Sequence, residues 1–203
     1  LAKGDTMPGL LSVEVLIDIH ERYEKLKDEA KRIDFDDVLL AALGMLESEK
    51  RVLDQVRAQY RYFLVDEYQD VSPVQQRLLD MWLGDREDIV VVGDASQTIY
   101  SFAGASSEHL VEFASRHPRA TVVKLEKNYR SGGHIVAIAN QIMAGRPGAL
   151  SLEATTADAI PVVRHRAATD ESEATFVAST IGELAKTGTS LDDCAVLMRF
   201  GAQ

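Results

Sequence analysis

Cysteine is nearly missing from this 203-residue chain: Cys194 stands alone, inside an apolar run. A single cysteine excludes a framework of internal disulfides and a cysteine-based metal site, and it fits a reducing compartment. Long hydrophobic runs are missing too. No stretch is apolar enough for long enough to cross a bilayer, and none reads as a secretory leader. Cationic charge is scarce: 22 Lys and Arg stand against 32 Asp and Glu, a formal net charge of −10. That balance argues against a generic polyanion binder and leaves room for a local groove with a few placed contacts. What is present is ordinary for a globular protein, with 46% hydrophobic and 27% charged residues. The length suits one large domain or two small ones. The chain opens on Leu1 and closes on Phe200-Gly201-Ala202-Gln203, so it reads as a piece of a longer protein.

One stretch organises the rest: Tyr62-Phe63-Leu64-Val65-Asp66-Glu67-Tyr68-Gln69-Asp70. Its apolar run predicts a strand buried on both faces, as in a parallel sheet. Open α/β sheets place their ligands at the carboxyl ends of such strands. An Asp there can hold Mg²⁺, and a neighbouring Glu can orient or deprotonate a water. Together they would form the Walker-B half of a P-loop nucleotide site. A solvated Asp-Glu loop after a strand is the plainer alternative.

Helical periodicity predicts a first helix through Val13, Leu16, Ile17, His20, Tyr23 and Leu26, with His20 as a packing residue. Asp34-Phe35-Asp36-Asp37 reads as the cap of a second helix. Ser72-Pro73-Val74-Gln75 has the Ser, Pro and Gln spacing of a capped helix start, with Val74, Leu78, Met81 and Trp82 as its buried stripe and Gly84 as its end. Ile89–Val92 predicts a second buried strand, leading into Gly93-Asp94 and a polar loop. Gln97 in that loop can bond a phosphate or a catalytic water. Tyr100 and Phe102 can stack on bases or pin the loop to the core. A third strand is expected over Thr121–Leu125, followed by a helix carrying Ile135, Ile138, Ala139 and Ile142. Further strands are expected over Val162–His165 and Cys194–Met198, around a helix capped by Asp170. This alternation predicts an α/β fold with parallel sheet.

Three blocks in order then carry a resemblance: Leu64-Val65-Asp66-Glu67-Tyr68-Gln69-Asp70; Val92-Gly93-Asp94 through Gln97-Thr98-Ile99-Tyr100 to Gly104-Ala105; and Leu125-Glu126-Lys127-Asn128-Tyr129-Arg130-Ser131. They resemble motifs II, III and IV of the UvrD/PcrA/Rep family of superfamily 1 DNA helicases. Asp34–Leu39 and Ala195–Gln203 are similar to family segments as well. The resemblance implies P-loop NTPase, RecA-like parallel sheets flanked by helices, with ATP between two such domains. It makes residues 1–33 the tail of a helical insertion, 34–125 the later part of the first RecA-like domain, and 126–203 the opening part of the second. It implies Asp66 as the Mg²⁺ ligand and Glu67 as the activator of the attacking water. It implies Gln97 as the γ-phosphate sensor, Tyr129 as the adenine stacker, Arg130 as an arginine finger, and Tyr100 and Phe102 as contacts to single-stranded DNA. Phe102 stands where many relatives have Trp. Ser101 and Ala103 replace flanking Arg residues, which removes cations from the DNA-facing loop, and Ala95 and Ser96 replace acidic residues.

The chain has no Gly-x-x-x-x-Gly-Lys-Ser/Thr, and Gly145-Arg146-Pro147-Gly148 supplies neither the Lys nor the hydroxyl. Motifs V and VI are missing as well. The 203-residue stretch alone is therefore expected not to hydrolyse ATP. The intact parent is expected to be an ATP-dependent motor moving 3′ to 5′ on single-stranded DNA and unwinding duplex. Its setting would be DNA repair in the bacterial cytosol, with repair proteins as partners. One alternative is a metal-dependent nuclease built on Asp66, Glu67, Asp70 and the cluster near Asp36. The other is a non-catalytic helicase-like subunit that scaffolds a nuclease-helicase complex.

Overall fold

The computed structural model describes residues 12–156 and 161–198. The loop expected over residues 1–10 and the terminal Arg199–Gln203 lie outside the described residues. The chain divides into two units, residues 1–126 with 140–151, and residues 127–139 with 152–203.

The first unit begins with three helices: α1 (Val13–Ala30), α2 (Phe35–Ser48) and α3 (Lys50–Gln59). Ser12 caps α1, and Lys31 closes it in the left-handed conformation at φ 49°. Asp34 and Asp37 form a reciprocal box at the start of α2, each side chain taking the other's backbone N–H at 2.9 Å. The Lys27 ammonium of α1 lies 3.0 Å from Asp34 and 2.8 Å from Asp37, with Glu24 at 3.0 Å. No residue of α1 is buried, so His20 is exposed, contrary to the packing role expected of it. Its helical period is real, but nothing among the described residues covers that face.

Strand β1 (Phe63–Val65) pairs in parallel with β2 (Ile89–Val91), and α4 (Pro73–Leu83) lies between them in sequence. The Ser72–Gln75 capping box starts α4 as its spacing predicts, and Gly84 ends it at φ 59°. Phe63, Val65, Ile89 and Val91 point to one face and pack with Tyr68, Leu79, Leu110 and Phe113. The intervening Leu64 is 83% exposed and Val90 is 55% exposed. The expectation of strands buried on both faces is thus corrected: among the described residues only one side of this sheet is covered. Trp82 stacks on Phe63 with ring centroids 6.3 Å apart, which is a packing role.

Two arginines finish the helix ends. Arg86 donates to the carbonyls of Trp82 (2.6 Å) and Leu83 (2.9 Å) at the end of α4, and to those of Arg57 (3.2 Å) and Tyr60 (3.1 Å) at the end of α3. Arg57 donates to Met81 O at 2.8 Å. Terminal carbonyls have no partner within their own helix, and a cation there also suits the negative helix end. After β2 the chain makes two short 3₁₀ turns, Ala95–Gln97 and Ser101–Ala103, then the short helices α5 (Glu108–Val111) and α6 (Phe113–Arg116).

The second unit holds β3 (Lys127–Gly132), paired in parallel with β4 (Glu153–Thr156), and α8 (Asp170–Lys186). Helix α7 (Gly133–Met143) follows β3 directly. Three expected strands are corrected here. Residues 121–125 of the first unit and 162–165 and 194–198 of the second form no ladder among the described residues, and the pairing falls on 127–132 and 153–156 instead. Val122, Val123 and Leu125 are apolar but exposed, so β propensity found no strand to pair with among the described residues. In α7 the buried residue is Val136, while Ile135, Ile138 and Ile142 are exposed. The cap of α8 is Thr169, which exchanges hydrogen bonds with Ser172, rather than Asp170. The parallel α/β organisation itself holds in both units.

Candidate nucleotide and DNA site

Asp66 and Glu67 follow β1 at its carboxyl end, and Gly93 and Asp94 follow β2 closely at the corresponding end. In-register pairing of Val65 with Val91 brings these two tips side by side. The ladder continues past the strands, with Val92 N–H donating to Val65 O at 2.8 Å and Tyr68 N–H to Val92 O at 2.9 Å. Position on adjacent strand tips is what makes one site out of residues some 27 positions apart.

Asp66 and Glu67 are both exposed. Asp66 Oδ1 accepts the Glu67 N–H at 2.9 Å. Glu67 has φ 50°, the left-handed region, where a non-glycine residue is uncommon. That conformation turns the chain sharply off the strand into the 3₁₀ turn Tyr68–Asp70. Strain of this kind persists where the surroundings determine it. Here Tyr68 and Gln69 are each 1% exposed, so the residues just after Glu67 are anchored in the core.

Gln69 is the residue that sequence reasoning passed over. Its Nε2 donates to Glu67 Oε2 at 2.7 Å and its Oε1 accepts the Asp94 N–H at 3.0 Å. Asp94 in turn holds the second loop: Oδ2 accepts Gln97 Nε2 at 2.9 Å and Oδ1 accepts the Ser96 N–H at 2.9 Å. A continuous polar run therefore leads from Glu67 through Gln69 and Asp94 to Gln97. The available signal was a polar residue two positions past the carboxylate pair, inside a turn leaving a buried strand. Gly93 is the second residue missed. A Cβ there would fall 2.5 Å from Gln69 Oε1 and 3.2 Å from Tyr68 N, so only glycine lets the two tips approach this closely.

Tyr100 and Phe102 lie around the second 3₁₀ turn, ring centroids 6.0 Å apart and tilted by 54°. Phe102 is 85% exposed, so it does not pin the loop to the core. Ala105, just beyond, is buried and fastens the turn through its N–H to Tyr100 O at 3.2 Å. Tyr129 and Arg130 belong to the second unit, on β3, and both are exposed. Asn128 holds the backbone at Arg130 and Ser131, its Oδ1 accepting their N–H groups at 3.0 and 2.8 Å. The expected site residues thus fall into two sets, Asp66, Glu67, Gln97, Tyr100 and Phe102 on the first unit and Tyr129 and Arg130 on the second.

An open cavity of about 660 Å³ lies beside the Gln97 turn, but none of these residues lines it. Among the described residues no group of three or more His, Cys, Asp or Glu side chains is placed to hold a metal. The carboxylate cluster that a nuclease centre would need, joining Asp36 to Asp66, Glu67 and Asp70, is therefore not assembled. Asp66 alone fits a lesser role. Its Oδ2 has no protein partner among the described residues, and Mg²⁺ is commonly held by one or two carboxylates together with phosphates and waters. No helix among the described residues is long and apolar enough to cross a membrane.

The chain has relatives among known proteins. Residues 11–118 match the UvrD/REP helicase N-terminal domain, and residues 123–203 match the UvrD-like helicase C-terminal domain. The chain is 44% identical over 193 residues to the ATP-dependent DNA helicase UvrD2 of Mycobacterium tuberculosis, covering 91% of this chain and 28% of the relative. It is 34% identical over 183 residues to the putative ATP-dependent DNA helicase YjcD of Bacillus subtilis, covering 89% and 24%. It is 32% identical over 187 residues to DNA helicase II of Escherichia coli, covering 91% and 26%. The chain spans about a quarter of the length of these relatives. With one family model matched over more than half its length, on the segment that builds the paired strand tips, the chain belongs to the UvrD/REP family of superfamily 1 helicases.

Proposed function

We propose that this chain is the part of an ATP-dependent DNA translocase that carries the water-activating carboxylate and a single-stranded DNA contact. The observation that supports the reading best is the polar run Glu67–Gln69–Asp94–Gln97 across two adjacent strand tips. It ties a carboxylate able to take a proton to an amide able to contact a phosphate. A site for ATP hydrolysis needs both, and a solvated loop needs neither.

In this reading residues 34–125 belong to the first RecA-like domain, 126–203 to the second, and residues 1–33 to the tail of a helical insertion. Asp66 offers its free carboxylate oxygen to Mg²⁺, whose chemistry when bound is to neutralise charge on the phosphate oxygens. Glu67 orients the attacking water and takes its proton. Gln97, held by Asp94, contacts the γ-phosphate. Arg130 adds positive charge to the same phosphate, and Tyr129 stacks on the adenine. Tyr100 and Phe102 stack on bases of single-stranded DNA. The relatives named as ATP-dependent DNA helicases support ATP and DNA as the ligands. Because the chain has no Gly-x-x-x-x-Gly-Lys-Ser/Thr, the phosphate cradle must come from outside these 203 residues. Movement 3′ to 5′, duplex unwinding and a role in DNA repair are carried by the family resemblance alone.

The deciding experiment is steady-state ATPase of the intact parent chain, with and without single-stranded DNA, beside Glu67→Gln. Turnover stimulated by DNA, and reduced roughly 10²- to 10⁴-fold by the substitution while a fluorescent ATP analogue still binds, is the expected result. An inactive parent would point to a scaffold subunit instead. Turnover surviving Glu67→Gln would mean that another group is the base.

A further inference from the structure

We infer that Gln69 is a positioning residue for Glu67, setting the carboxylate's orientation from the tip of the neighbouring strand. The inference rests on the reading of Glu67 as the water-activating base. The Gln69 carboxamide is almost wholly buried and is engaged at both ends. One end faces a backbone N–H, that of Asp94 at 3.0 Å, which only an oxygen can accept. The other end must then be the NH₂, and it donates to Glu67 Oε2 at 2.7 Å. The amide therefore has one useful orientation, and reversing it would leave a donor against a donor and an oxygen against a carboxylate.

This arrangement leaves Glu67 Oε1 as the oxygen available to a water. It also fixes the side chain of an exposed residue, whose several rotatable bonds would otherwise sample many directions. Two backbone features serve the contact. Glu67 adopts φ 50°, which turns it back over Gln69, and Gly93 has no Cβ where one would stand 2.5 Å from Gln69 Oε1. Nothing in hydrophobic packing asks for an amide here. A buried Leu or Met fills a similar volume and brings no polar atom that needs a partner.

The test uses the intact parent chain with Gln69→Met, Gly93→Ala, Glu67→Gln and the double substitution Gln69→Met/Glu67→Gln. Partners that orient a reactive group commonly contribute 10- to 100-fold. Gln69→Met is expected to lower kcat by roughly that factor while the KM for ATP stays within about twofold. Gly93→Ala, which keeps the amide but displaces it, should lower kcat in the same way. Added to Glu67→Gln, Gln69→Met should cause no further loss, because the group it orients is already gone. Normal kcat in Gln69→Met, or a loss that multiplies with that of Glu67→Gln, overturns the positioning role alone. If Gln69→Met does not fold, Gly93→Ala decides. An unsubstituted parent without turnover overturns the motor reading, and the role of Gln69 falls with it.

Discussion

The Tyr68 hydroxyl donates to Gln76 Oε1 at 2.6 Å, and both side chains lie in the core, 1% and 6% exposed. This bond joins the turn after β1 to helix α4 and holds in place the segment that carries Glu67. Gln76 also donates to Asp80 at 2.7 Å, and Tyr68 packs edge-on against Phe113 at 5.8 Å. Tyr68→Phe keeps the ring and leaves the Gln76 oxygen without its buried donor. The expected cost is about 1–3 kcal/mol, read as a lowered urea midpoint with an unchanged slope.

Arg86 spans the ends of two helices through four carbonyls. Arg86→Met should keep much of its packing near Phe63 while removing every one of those donors. A loss of about 2 kcal/mol is expected, since hydrogen bonds from a charged donor are the stronger kind. Thermal melting followed by circular dichroism would register it, and a change below about 0.5 kcal/mol would show that water replaces the guanidinium freely.

Lys27 carries the electrostatics of the joint between α1 and α2. Burial opposes its charge, but hydrogen bonds to Asp37, Glu24 and Asp34 outweigh that and raise its pKa above the ordinary 10.5. Asp34 moves the other way. The Asp37 N–H, the Tyr23 hydroxyl and Lys27 hold its carboxyl well below the ordinary 3.8. A lowered acid adds stability that is complete above its ordinary pKa and lost as pH falls through the folded value. A raised base adds stability that is complete below its ordinary pKa and lost only as pH climbs past it. Both contributions are present at pH 7, and the Asp34 part drains away below about pH 4. Lys27→Met should lower the melting temperature at pH 7, because it leaves three carboxylates facing one another. The difference from the unsubstituted chain should shrink by pH 3. A penalty as large at pH 3 as at pH 7 would count against this account.

Phe102 and Tyr100 offer two exposed rings on the loop that follows Gln97. Phe102→Ala in the intact parent should weaken binding to an oligo(dT) strand by about 1–3 kcal/mol, the usual worth of one base stacked on an aromatic ring. Because the ring carries no charge, the dependence of affinity on salt should keep its slope. Fluorescence anisotropy across a salt series separates the two. An altered slope with unchanged affinity at low salt would place the DNA elsewhere.

What the sequence determined by itself is local. The boxes at Asp34–Asp37 and Ser72–Gln75 close over three residues, and the stop at Gly84 needs only a positive φ, so pattern alone exposes them. The parallel α/β order was legible in the alternation of short apolar segments, while the roles proposed for Asp66, Glu67, Gln97, Tyr129 and Arg130 are carried by the family resemblance. The tertiary structure decided what depends on distant partners. Gln69 meets Asp94 across 25 positions only because Val65 pairs with Val91, and Gly93 matters only once that pairing is set. The exposed face of Leu64 and Val90, and a ladder on 127–132 instead of 121–125, follow from which neighbours are there to cover or pair a segment. Apolar content measures a segment's readiness to be buried or paired. Whether it is depends on long-range contacts that no short window of sequence contains.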